Sequence, residues 1–156
     1  MELFGLDKNR RTQLGAHDFL IQPSQDMARN VVIDEYMYSI TLDHQNRRIR
    51  ADLTGFMTPD EVMRFSADQQ GALADAGWAS GTFDLLMVTD GGIVQSQETV
   101  AAFQSLIVNS PIKSRRLATV RSNPLARMQT TRIVKMRENA AMFESLEDAI
   151  EWLEAE

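Results

Sequence analysis

The sequence predicts an α/β domain, a mixed sheet of about five strands that starts with a β-hairpin and is flanked by about four helices. Three observations predict it. Residues 35–54 alternate apolar and polar positions around a polar turn, as a hairpin does. Phe83 to Thr89 is apolar at successive positions (Leu85, Leu86, Met87, Val88), the pattern of a central strand covered on both faces. That run enters Asp90-Gly91-Gly92 and then a helix opening near Ser96, the strand-to-helix junction of an open α/β sheet.

The elements follow in order. Residues 1–35 hold short apolar pieces, Phe19-Leu20-Ile21 and Val31-Val32-Ile33, split by Pro23-Ser24-Gln25-Asp26. They form an N-terminal extension that is an arm docking on a neighbour, an extra edge strand or a flexible leader; residues 36–156 are the domain proper. Met37 stands at the start of the first clear strand and offers a second translation start. In the hairpin, Tyr38, Ile40 and Leu42 lead to the turn Asp43-His44-Gln45-Asn46, and Ile49, Ala51 and Leu53 return. Thr58-Pro59-Asp60-Glu61 starts a helix with a cap, a first-turn proline and a capping-box glutamate. Val62, Phe65, Leu73 and Ala76 are its core stripe and Gly77 its stop, while Gly71 inside it marks a close packing contact.

Beyond the glycine turn, the Ser96 helix runs to about Val108, with Val100, Phe103, Leu106 and Ile107 on one face. Leu117-Ala118-Thr119-Val120 is a second buried strand. Asn123-Pro124 opens a third helix whose Leu125, Met128 and Met136 are expected to face inward. Ala140 to Phe143 is a short strand, and Ser145 with Asp148 caps a last helix that buries Leu146, Ile150 and Leu153.

Composition narrows the chemistry. A chain of 156 residues, 44% hydrophobic and 24% charged, suits one soluble domain. No apolar run approaches the roughly 18–20 residues of a membrane span, and the N-terminus lacks a signal pattern, so a cytoplasmic location is expected. The absence of cysteine and the presence of only two histidines, His17 and His44, exclude thiol chemistry and argue against a metal site or any other cofactor. The net charge of −6 argues against nucleic acid as a partner. Charge is nevertheless segregated: Lys113 to Arg137 holds eight bases and no acid, Glu138 to Glu156 seven acids and no base. Neighbouring elements exchanging salt bridges explain this; a basic surface for an anionic ligand is the sharper reading.

The hairpin MYSITLDHQNRRIRADLTGFMTPDEV, the strand-turn VTDGG, the strand RRLATVRS with its Asn-Pro helix and the ending MFESLEDAIEWLEA together resemble the SpoIIAA-like proteins of the STAS superfamily (sulfate transporter and anti-sigma factor antagonist domains). The resemblance covers about residues 37–155 and implies a small STAS-like α/β domain with helices flanking its sheet. Anti-sigma factor antagonists carry a phosphoacceptor serine just after the aspartate that ends the central strand. Here that aspartate is similar to Asp90 and the next residue is Gly91, so the phosphoswitch does not carry over. Thr89 and Ser96 lie nearby but not at the matching position. The branch has also been grouped with lipid-binding domains, which points to an apolar ligand.

Three groups of candidate site residues result. The loop Asp90, Gly91, Gly92 with Ser96 reads as a turn and helix cap, and functionally as a partner or anion-binding loop. Arg115, Arg116 and Arg121 at the strand ends are the candidates to face an anion, and Phe56, Met57 and Met87 those to wall an apolar pocket. No catalytic residues emerge: Asp52, Asp84 and Asp90 have no fixed pairing, and neither histidine has a triad partner. The expected function is a non-enzymatic STAS-like regulatory module that binds a protein partner, a homodimer being one form. The alternative is a carrier or sensor of a small apolar or lipid-like ligand.

Overall fold

The computed structural model describes residues 29–34, 37–89, 94–121 and 123–155. Its six-stranded sheet runs in chain order: β1 (Arg29–Asp34), β2 (Tyr38–Asp43), β3 (Arg48–Leu53), β4 (Asp84–Thr89), β5 (Leu117–Val120) and β6 (Ala140–Phe143). β1, β2 and β3 pair antiparallel, while β3 to β6 pair parallel, so the sheet is mixed. Among the described residues four helices accompany the sheet: α1 (Pro59–Ala76), α2 (Gln97–Asn109), α3 (Pro124–Val134) and α4 (Leu146–Glu154). The hairpin and the four helices match the sequence reading; Arg29–Asp34 adds one strand to the expected sheet by pairing with β2.

The parallel half dictates where the helices lie. Each of α1, α2 and α3 links neighbouring parallel strands that advance in one direction, and right-handed crossovers then put all three on the same face. α4 follows the last strand and packs on the opposite face, against β4, β5 and β6. There Leu86, Ala118 and Val120 meet Ala149 and Leu153. The small side chains of Ala118 and Ala149 let that helix lie close to the sheet.

Local sequence explains the boundaries. Thr58 and Glu61 form a reciprocal capping box at 3.1 and 2.8 Å, and Gly77 closes α1 in the left-handed region at φ 72°. Ser96, Asn123 and Ser145 cap α2, α3 and α4 through their side-chain oxygens. Val62, Phe65 and Leu73 are buried in the main core with Ile40, Ile49 and Ala51 from the sheet.

Two packing expectations fail. A Cβ on Gly71 would meet nothing within 4 Å, so that glycine marks no close contact. On α3 the buried positions are Ala126, Thr130 and Val134, spaced one helical turn apart, whereas Leu125 and Met128 are 62% and 59% exposed, and Met136 beyond the helix is also exposed. The small stripe faces inward because α3 lies against α2 and β6, and the long apolar side chains are left outside.

Candidate functional site

A cavity of about 90 Å³ lies between the sheet and the layer of α1, α2 and α3. Its floor follows from strand alternation: Leu85, Met87 and Thr89 of β4 and Leu117 and Thr119 of β5 all point to the same face. Phe65 from α1, Phe103 from α2 and Ile133 from α3 form its roof. Of the three residues expected to wall an apolar pocket, Met57 and Met87 line this cavity and Phe56 does not, standing 66% exposed.

A polar clasp holds the end nearest the carboxyl ends of the strands. Gln95 accepts from Met57 N at 3.0 Å through Oε1 and donates to Gly55 O at 3.0 Å through Nε2. Gln95 N donates to Gln129 Oε1 at 2.8 Å, and Gln129 Nε2 donates back to Gln95 O at 2.7 Å. One side chain thus ties the β3–α1 loop to the entry of α2, and a second ties that entry to α3. Thr99, fully buried, adds a bond from its hydroxyl to Met57 O. Neither glutamine's role was apparent from sequence, since an isolated Gln, in a loop at 95 or on a helix at 129, carries no pattern.

Within the cavity two polar atoms are buried without a hydrogen-bond partner, Thr119 Oγ1 and Gln69 Oε1. Both residues are more than nine-tenths buried, at 7% and 8% exposure. Leaving such an atom unpaired costs about 1–3 kcal/mol, so each marks a place where a hydrogen-bonding group from outside the chain would be held favourably.

The charged lining is of one sign. Lys113, Arg121 and Arg137 reach the cavity, and among the described residues no aspartate or glutamate does. Lys113 Nζ donates to the carbonyls of Ile107 and Val108 at 2.9 and 3.0 Å, capping the end of α2. Arg121 donates to Thr130 Oγ1 at 3.4 Å. Arg137 donates to Ser114 Oγ at 3.2 Å and to Ser114 O at 2.8 Å. Partial burial strips water from both guanidiniums and pushes their pKa values below the ordinary arginine value.

The other candidate residues lie apart. Arg115 forms a two-pronged pair with Asp84 at 2.8 and 3.0 Å and also donates to Leu153 O. Arg116 donates to Trp152 O and Ala155 O, and its guanidinium lies 5.1 Å from the Trp152 ring centroid. Both therefore reach the end of α4, and Arg115 also holds the carboxylate of Asp84. Of the basic and acidic stretches, Arg127 and Glu144 pair directly at 2.6 Å. Ser96 Oγ accepts from Thr99 N at 3.1 Å as a helix cap, and Thr89 donates to Val120 O at 2.9 Å. Asp90, Gly91 and Gly92 lie outside the described residues. His44 is exposed in the hairpin turn, edge-on to Trp78. Among the described residues no group of three potential ligands could hold a metal ion, and no helix is long and apolar enough to cross a membrane.

Comparison with known proteins bears on this architecture. A search of solved structures finds an uncharacterised protein of the DUF3478 family from Shewanella loihica PV-4, described as having a SpoIIAA-like fold. The likeness covers 77% of this chain and 96% of that one, at a TM-score of 0.55 and 16% sequence identity. The chain has a SpoIIAA-like fold. No family model and no curated protein matches it. At this identity the likeness speaks to the fold, and the chemistry has to be argued from the cavity.

Proposed function

We propose that this protein binds a small amphipathic molecule in the cavity between its sheet and the three-helix layer, as a carrier or sensor that performs no reaction on it. The observation that carries this reading is the pair of unpartnered buried atoms, Thr119 Oγ1 and Gln69 Oε1, set in an otherwise largely apolar lining. A cavity walled by Leu, Met, Phe and Ile with a few polar groups has the composition of a small-molecule site. The test is native mass spectrometry of protein purified gently from its own organism. A small bound mass should be released on denaturation and be missing from Ile133→Trp, which fills the cavity from α3. Protein that carries no bound mass, and whose melting temperature does not respond to short-chain amphiphiles, would overturn the reading.

A second reading is a STAS-like regulatory module that meets a protein partner through the segment from Asp90 to Ser96. The SpoIIAA-like fold supports it, and Gly91 in place of a hydroxyl residue removes the usual phosphate acceptor. Gln95 joins the two readings, because it belongs to that segment and also lines the cavity. Affinity capture of a partner whose binding survives Gly92→Trp would count against this surface.

A further inference from the structure

We infer that the cavity's ligand is a short-chain organic anion, a carboxylate on an apolar tail, whose head is held by Arg137. This rests on the cavity reading above and adds the chemical class and the orientation. The chain has six more acids than bases, yet three cations and no carboxylate line the cavity among the described residues. In a protein of net charge −6, a site lined by one sign of charge and that sign positive favours an anion.

The three cations differ in what they already hold. Lys113 is occupied with two carbonyls of α2, and Arg121 sits at the opposite end of the cavity, bonded to Thr130. Arg137 makes two hydrogen bonds, both to Ser114, and among the described residues pairs with no carboxylate. A guanidinium has five N–H donors in a planar fork, so three remain for a planar acceptor such as a carboxylate. Half-burial makes that arrangement stronger than a surface ion pair, because water competes less for the same donors.

Size sets the tail. A cavity of about 150 Å³ holds one six-carbon ring, so 90 Å³ accommodates roughly four carbons, a short chain and not a fatty acyl tail. With its head at Arg137, the tail would lie among Phe103 and Met87, which line the same cavity.

The experiment is isothermal titration calorimetry of the full chain with butanoate and with 1-butanol at neutral pH. The wild-type protein should bind butanoate roughly tenfold or more tightly than butanol, the scale of a charge-assisted hydrogen bond. Arg137→Gln should remove that difference while leaving butanol affinity within about twofold, which also reports an intact cavity; Arg137→Lys should restore part of it. Equal binding of the two compounds by the wild-type protein overturns the headgroup assignment and leaves the cavity reading standing. So does butanoate binding that survives Arg137→Gln but is lost in Arg121→Gln. Failure of both compounds to bind overturns the cavity reading, and this inference with it.

Discussion

Gln95 and Gln129 are joined by two reciprocal hydrogen bonds, the backbone N–H and C=O of the first meeting the side-chain amide of the second at 2.8 and 2.7 Å. The amide of Gln129 thus takes the place of a neighbouring strand. Gln129→Ala should lower stability by about 1–2 kcal/mol, which for a chain of this length is a fall of several degrees in melting temperature. Amide exchange should accelerate at Gln95 and Met57 before it does in β4. Unchanged protection at both sites would mean that the clasp closes nothing.

Thr119 provides a test with the opposite sign. Its hydroxyl is buried without a partner in the ligand-free chain, so the isosteric Thr119→Val should raise ligand-free stability by about 1 kcal/mol in urea unfolding. A loss of stability would reveal that the hydroxyl has a partner in solution.

Gly71 is exposed and helical, with open space where a Cβ would stand. Gly71→Ala should therefore stabilise the protein by up to about 1 kcal/mol, through helix propensity and a less flexible unfolded chain. Thermal melts of the two proteins side by side decide it.

Asp84 is 6% exposed and receives both prongs of Arg115. Removing the guanidinium in Arg115→Gln leaves that carboxylate buried with weaker donors, and stability should fall by about 1.5–3 kcal/mol. The exposed Arg132→Gln on α3 is the matched control and should stay within about 0.5 kcal/mol of wild type.

Leu125→Gln and Met128→Gln should likewise change stability by no more than about 0.5 kcal/mol, since both side chains face away from the core. Their positions also show where sequence reading loses resolution. Strands β2 to β6 were legible because alternation and uninterrupted apolar runs are local signals, and the caps at Thr58, Ser96, Asn123 and Ser145 sit at fixed offsets from what they cap. The inward face of α3 was not legible. Hydrophobicity favoured Leu125 and Met128, but the space against α2 admits only Ala126, Thr130 and Val134. The place of Arg29–Asp34 beside β2 was one of several open alternatives, because pairing across a sheet leaves little trace in either strand alone. For the site, Met57 and Met87 were visible as adaptable apolar residues. Gln69, Thr119 and Arg137 were not, because three residues far apart in sequence become neighbours of one void only after four elements have packed.

The strict chain order of the sheet bears on how the molecule is made. Every strand after β1 hydrogen-bonds to the one synthesised just before it, but the parallel pairs join distant residues, Arg48 to Asp84 and Leu85 to Leu117, so each waits for a whole helix to emerge. The face carrying Leu86, Ala118 and Val120 waits longest. It stays wet until Leu146–Glu154 has emerged and docked, and until then a nascent chain displays a greasy stripe that a chaperone would recognise.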